Sequence, residues 1–199
     1  MSGALFEWAT PLFVRAARRW EPDDARSFAR MLEPYVGPGG RILDVGGGTG
    51  HLATLIASAT GWEVAVLDRS PRMLASASDL PGITVTCGDA SAMPFDSGSF
   101  DAAIVVDAFH HMDRQADVAR ELARVVRPSG GLIVADEDAA GRGIRAVAFL
   151  ERLLGEPAAF LTAAGAVELF AAAGFDGTTE SHGVSSYVFV GQRLATADR

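Results

Sequence analysis

Apolar residues along this chain follow two rhythms, short unbroken runs and longer stretches with three-to-four spacing, and the two alternate from residue 41 onward. The runs at 41–45, Glu63–Leu67, 83–87, Phe100–Val106 and Leu132–Ala135 read as the apolar strands of a sheet covered on both faces. Helical patterns fall between them. One runs over about 50–60 and stops at Gly61, and another starts at Ser70-Pro71 and runs to about Ser78. A third covers about Asp113–Val126, where Val118, Leu122, Val125 and Val126 share a face. Further helices are expected at about 142–154 and 163–173, the last ended by Gly174. Ahead of the first strand, two helices at 4–19 and 23–35 are split by Glu21-Pro22, with Asp23 or Asp24 capping the second and Gly37-Pro38-Gly39-Gly40 ending it. Strands at about 175–181 and 185–191 form a hairpin around His182-Gly183.

Strands alternating with helices predict an α/β fold. The expected architecture is a Rossmann-like, doubly wound sheet, mostly parallel with a C-terminal antiparallel hairpin. One domain spans 1–199, with 1–35 as an N-terminal helical lid and 36–199 as the cofactor-binding sheet and helices. Ligands of such sheets bind beyond the carboxyl ends of the strands. That rule selects 46–50, 68–70, 88–90, 107–112 and 136–138, which are also the chemically richest positions.

The first of these stretches, Ile42-Leu-Asp-Val-Gly-Gly-Gly-Thr-Gly50, ends a strand in an acid and a burst of glycines before a helix. Glycine at 46, 48 and 50 permits tight turning and close approach to a ligand. The helix start offers free N–H groups. Gly48-Thr-Gly-His-Leu-Ala53 fits a dinucleotide fingerprint, with Asp68 about 20 residues on. The acid Asp44 points instead to a cofactor with a cationic end, because a carboxylate repels a pyrophosphate. No Gly-x-x-x-x-Gly-Lys-Ser/Thr occurs, which argues against a triphosphate loop.

Composition narrows the classes. Of 199 residues, 49% are hydrophobic, enough for one sizeable core, and the formal net charge of -8 with no long basic run argues against nucleic acid as a partner. The single cysteine, Cys87, excludes internal disulfides, and its place in an apolar run marks it as a core residue. No secretory signal and no apolar stretch of membrane-spanning length is visible, so a soluble cytoplasmic protein is expected. Leu5, Phe6, Trp8, Leu12 and Phe13 form an apolar face that fits a lid or packing helix better than a membrane surface.

From the first to the fifth strand the sequence resembles class I methyltransferases of the ubiquinone/menaquinone biosynthesis C-methyltransferase-like group. The resemblance rests on an ordered set: Leu43-Asp-Val-Gly-Gly-Gly-Thr-Gly50, Val66-Leu-Asp68, Ser70-Pro-Arg-Met-Leu74, Gly88-Asp-Ala90 and Met93-Pro-Phe-Asp96, then Ser99-Phe-Asp101, Phe109-His-His111 and Glu121-Leu-Ala-Arg-Val-Val-Arg-Pro-Ser-Gly-Gly131. It is good over roughly 35–135 and looser over 160–191. Ser129 stands where the family usually has glycine. The resemblance implies S-adenosyl-L-methionine as cofactor. Gly46, Gly48 and Gly50 would border its methionine and ribose parts, Asp44 its ammonium, and Asp68 both ribose hydroxyls. Asp89 would accept from the adenine amino group with the Ala90 N–H on the ring, Arg69 and Met73 would flank the adenine, and Asp107 would lie near the methyl group.

The same resemblance implies an enzyme methylating a small apolar or aromatic metabolite, with a pocket built from 1–35 and 138–165 that includes Phe149, Leu150, Leu153, Phe160 and Leu161. The alternatives are a non-catalytic S-adenosylmethionine-binding regulator or partner subunit, a nucleotide-sugar or NAD enzyme on the same fold, and a magnesium-dependent catechol-type O-methyltransferase using Asp107 with Asp136 or Asp138. His110, His111 and Asp107 are the candidate catalytic residues. Side chains of adjacent histidines are expected to diverge, and pocket lining is the favoured role for both. No metal site is expected. Asp136-Glu137-Asp138 read as solvated loop acids, and Asp101 as the holder of a strand start. The partner expectation is a small-molecule methyl acceptor, without nucleic acid or stable membrane association and with a homodimer allowed.

Overall fold

A computed structural model describes residues 20–77, 81–141, 143–144, 148, 159–182 and 185–195. The helices expected at 4–19 and 142–154 lie essentially outside these residues. The described elements run α1 (Pro22–Leu32), β1 (Arg41–Val45), α2 (His51–Thr60), β2 (Glu63–Asp68), α3 (Pro71–Leu74), β3 (Ile83–Cys87) and β4 (Phe100–Val106). A 3-10 turn at Phe109–His111 follows, then α4 (Gln115–Val125), β5 (Val126–Glu137), α5 (Ala163–Ala173), β6 (Phe175–His182) and β7 (Ser186–Arg193).

The strands form one seven-stranded sheet in the order β3-β2-β1-β4-β5-β7-β6. β1 to β5 are parallel, β7 runs antiparallel to β5, and β6 is antiparallel to β7, so the expected C-terminal hairpin closes one side of the sheet. The strand order reverses between β1 and β4, which places the cleft there.

Both faces of the central strands are covered, which is why β1, β2 and β4 carry no polar stripe, whereas β3 and β6 at the two edges do. Leu43, Val45, Leu67, Ala103 and Val105 face Val118, Leu122 and Val125 of α4 and Phe170 of α5. Their neighbours along the strands, Ile42, Val64, Val66, Ala102 and Ile104, face Phe28 and Leu32 of α1 and Leu52 and Ile56 of α2. Two motifs of the sequence meet at the rim. Glu121 accepts the Met93 N–H at 2.6 Å, and its partner Arg124 donates to the carbonyls of Phe95 and Met93 at 2.7 and 2.9 Å, pinning the 93–95 loop to α4. That pairing holds the Glu121 carboxyl below its usual range.

Four expectations need correction. Helix α1 starts at Pro22 with Glu21 as its cap, because proline suits the first helical position; Asp24 instead accepts the Glu21 N–H at 3.0 Å. Cys87 is exposed, since β3 is an edge strand paired only with β2. β5 extends to Glu137, so Asp136 belongs to the strand and is buried, with 3% of its surface exposed. The rings of His110 and His111 do not diverge but meet with centroids 4.0 Å apart. Asp101 does hold a strand start: it accepts the Arg41 N–H at 2.8 Å and the Arg127 Nε at 2.7 Å.

Candidate active site

The glycine loop adopts the conformations its composition demands. Gly46, Gly48 and Gly50 have φ of 75°, 55° and 70°, a region that costs other residues strain. A Cβ on Gly46 would sit 2.6 Å from the Ala108 Cβ, so glycine is also needed there for space. The loop is tied to the next strand by its backbone: the Gly46 N–H donates to the Leu67 carbonyl at 2.7 Å.

Asp68, at the end of β2, accepts the Gly48 N–H at 2.9 Å and the Ser70 N–H at 2.8 Å, one on each carboxylate oxygen. It thus joins the loops after β1 and β2. Burial raises its pKa against the lowering effect of those bonds. The Met73 methyl sits over Gly48, 3.0 Å from where a Cβ would stand. Arg69 is exposed beside it.

Asp44 lies beneath the loop, with its carboxylate tucked under Gly47. It is buried, and its Oδ2 has no hydrogen-bond partner. Burial, reinforced by the negative charge of Asp68, pushes its pKa up to about 7. An orphaned buried carboxylate oxygen is costly unless something arrives to pair with it. A cationic group does so, which fits the ammonium end of S-adenosylmethionine and would clash with a pyrophosphate.

Asp89 is spent more locally. One oxygen accepts the Ser91 N–H at 2.8 Å and the Ser91 hydroxyl at 2.7 Å, and the other faces Arg114 at 3.2 Å. The Ser91 bonds, with Arg114 adding to them, keep its carboxyl below the ordinary range. Ala90 follows, half-buried against the core.

On the other side of the strand reversal, the ends of β4, β5 and β7 enclose a cavity of about 250 Å³. Asp107, His110, Asp136 and Tyr187 line it, together with Phe28 from α1 and Phe160. Trp20, in edge contact with Phe28 at 5.8 Å, also lines it. Asp107 has φ of 49°, a strained conformation for a residue with a side chain, at the point where β4 turns into the 3-10 segment. His110 is held by Asp136 twice: the backbone N–H donates to Oδ2 at 2.9 Å, and Nδ1 lies 2.6 Å from Oδ1. The Glu137 N–H donates to Oδ1 as well, at 2.8 Å. Phe160 stacks on the His110 ring at 4.4 Å and 17°. His111 is half-buried against the same ring.

The structure therefore brings Asp44, the three glycines, Asp68 and Met73 together, leaves Asp89 at the sheet edge, and gathers Asp107 and His110 into the second chamber. Sequence reasoning placed Asp136 at the ligand edge but missed its pairing with His110, and it did not single out Tyr187, Phe28 or Trp20. An acid directly continuing an apolar strand was the available signal for Asp136. Of the residues expected to build the pocket, Phe160 lines the cavity and Leu161 packs on the core, while Phe149, Leu150 and Leu153 lie outside the described residues. With both Asp136 oxygens accepting backbone and imidazole donors, this acid is poorly placed to ligate magnesium as the catechol-type alternative requires. Among the described residues, no group of three or more His, Cys, Asp or Glu could hold a metal ion. No helix among them is long and apolar enough to cross a membrane.

Residues 43–134 match the family described as a methyltransferase domain. Over 103 residues the chain is 41% identical to 2-methyl-6-phytyl-1,4-hydroquinone methyltransferase of Synechocystis, covering 50% of this chain and 32% of that protein. It is 37% identical over 136 residues to demethylmenaquinone methyltransferase of Renibacterium salmoninarum, covering 67% of this chain and 57% of the relative. The chain thus spans between a third and little over half of the length of these relatives. The fold matches an S-adenosylmethionine-dependent methyltransferase of Thermotoga maritima with a TM-score of 0.75 at 22% identity, over 95% of this chain and 98% of that one.

Proposed function

We propose, from its membership of the class I methyltransferases in the ubiquinone/menaquinone C-methyltransferase-like group, that this chain transfers a methyl group from S-adenosyl-L-methionine to a small aromatic acceptor. The observation that carries the reading is the unpartnered, buried Asp44 carboxylate beneath a glycine loop at the strand reversal. It supplies the one charge that a methionine ammonium needs and that a dinucleotide would avoid. When bound, the cofactor supplies a methyl group already activated by a sulfonium charge.

The residues divide the remaining work. Gly46, Gly48 and Gly50 admit the methionine and ribose by close backbone approach. Asp68 accepts the ribose hydroxyls while keeping its two backbone donors. Asp89, Ala90, Arg69 and Met73 border the adenine. Asp107 stands between the two chambers, close to the transferring methyl. The aromatic walls at Phe28, Phe160 and Tyr187 orient a flat acceptor and exclude water, and orientation alone supplies several kcal/mol of the barrier reduction. A quinone-type ring is the acceptor class that the named relatives support. We read the chain as one domain with α1 part of the acceptor cover, working without nucleic acid in the cytoplasm, with a homodimer allowed.

The test is a binding comparison followed by turnover. S-adenosylhomocysteine raises the melting temperature, increasingly with its concentration, and NAD does not. A shift with NAD alone overturns the reading. Methyl transfer to reduced naphthoquinones, followed by mass, then checks the acceptor class.

A further inference from the structure

We propose that the Tyr187 hydroxyl is the hydrogen-bond donor that holds an oxygen of the acceptor ring, and so selects rings bearing a carbonyl or hydroxyl group over plain aromatic hydrocarbons. The proposal rests on the methyl-transfer reading and adds to it the residue that places the acceptor. Tyr187 lies at the start of β7, beside Asp136 of β5 and Ser181 of β6. Its position two residues before Phe189 puts both rings on one face of the strand, in the core that also holds Phe170. Phenylalanine satisfies that face at 189, so packing gives no reason for a hydroxyl at 187.

Tyr187 is 1% exposed, and a tyrosine buried to this extent normally finds a partner for its O–H. Among the described residues it has none. The nearby carboxylates are engaged elsewhere: Asp136 by His110 and the Glu137 N–H, and Asp138 Oδ1 by the Ala140 N–H at 2.8 Å. Nor is the hydroxyl oxygen sealed inside the core, where the orphaned side-chain atoms among the described residues are Asp44 Oδ2 and Ser99 Oγ. It therefore opens on the cavity that Tyr187 lines together with Phe28 and Phe160. Burial first, and then the charges of Asp136 and Asp138, push its pKa well above the ordinary tyrosine range, so its proton stays in place at any working pH. The cavity thus presents a neutral donor among aromatic rings.

The complement of that arrangement is an oxygen lone pair on a flat ring. A hydrocarbon of the same shape leaves the hydroxyl desolvated and unpaired, which is how a buried polar group discriminates between ligands of one outline. The sheet order also sets where the oxygen lies. β7 is separated from β4 by β5, and from β1 by β5 and β4, with neighbouring strands about 4.8 Å apart. An oxygen held by Tyr187 is on the far side of the cavity from the glycine loop, away from the methyl donor, which suits transfer to a ring carbon.

The test uses the whole chain loaded with S-adenosylhomocysteine, its Tyr187→Phe variant, and two probes of similar outline: 2-methyl-1,4-naphthoquinone, which carries ring oxygens, and 2-methylnaphthalene, which carries none. The variant keeps the buried ring and loses only the hydroxyl. Quinone binding, by calorimetry, weakens about three- to tenfold in Tyr187→Phe, whereas hydrocarbon binding stays within about twofold. A hydroxyl with a purely structural role moves both constants alike. The infrared carbonyl band of the bound quinone gives a second measurement that needs no variant for its first half: it shifts to lower wavenumber in the unmodified protein, and Tyr187→Phe reverses the shift. Equal changes for the two probes, an unchanged quinone affinity in the variant, or an unshifted carbonyl band in the unmodified protein overturns the proposal. An unmodified protein that fails to bind S-adenosylhomocysteine overturns the methyl-transfer reading and the proposal with it. One that binds S-adenosylhomocysteine but shows no preference for the quinone overturns the proposal alone.

Discussion

The glycine loop and the cavity on the other side of the strand reversal are built in different ways. The glycine-loop side comes from β1 through β3, and its acids are held mainly by backbone donors, Asp68 by the Gly48 and Ser70 N–H groups and Asp89 by the Ser91 N–H, while Asp44 Oδ2 stays unpaired. The acceptor side draws on α1, the end of β4, the end of β5, Phe160 and the start of β7, and its central bond joins residues 26 apart in sequence. In the proposed reading, the cofactor is met largely by backbone geometry and the acceptor by side chains collected from several elements. Substitutions on one side are expected to leave the other side's ligand untouched.

The largest effect is expected at Asp68. Asp68→Ala strands the Gly48 and Ser70 N–H groups and removes the ribose acceptor, costing about 2–4 kcal/mol of S-adenosylhomocysteine affinity by calorimetry. An acceptor KM that rises while that affinity holds would break the division into two chambers. Next comes Asp44. Its folded pKa is raised, to about 7, so the folded state binds its proton more tightly than the unfolded chain does. Asp44 therefore lowers stability as pH rises from about 4 to about 7 and has no further effect above that. An arriving ammonium needs the ionised form, so S-adenosylhomocysteine should bind roughly tenfold more weakly at pH 6 than at pH 8, and Asp44→Asn should flatten the dependence. A profile that stays steep in Asp44→Asn would assign it elsewhere.

On the acceptor side, Phe160→Ala removes the ring stacked on His110 and should raise acceptor KM by up to about tenfold, the equivalent of about 0.5–1.5 kcal/mol. Cofactor affinity should hold, and a fall in it of similar size would show the chambers to be coupled. The smallest effect lies outside both. Ser129 has φ of 62° in the turn of β5, and Ser129→Gly should raise stability by about 0.5–1 kcal/mol in urea unfolding without altering either ligand constant.

The same contrast explains what could be read in advance. The strand runs, the glycine loop and Asp68 were legible because their signals are contiguous: apolar blocks, a positive-φ cluster and an acid ending a strand. The α/β class and the mostly parallel sheet followed from that alternation. Asp136 reads locally as a solvated loop acid, because nothing local shows that β5 continues past Ala135 or that a histidine of the β4 loop needs a partner there. Tyr187 and Phe28 look like ordinary core residues until β7 and α1 are laid beside β5. The misplacement of Cys87 has a related cause. Ile-Thr-Val-Thr-Cys reads as buried, yet whether a strand is interior or at the edge is set by topology and not by its own residues.

That exposed thiol has a practical use. Cys87 is the chain's single cysteine and stands two residues before Asp89, at the cofactor end of β3. A thiol-directed fluorophore therefore attaches at one defined place on the rim of the cofactor chamber, without any cysteine having to be removed first. Its emission would follow S-adenosylhomocysteine entry in real time, giving association and release rates.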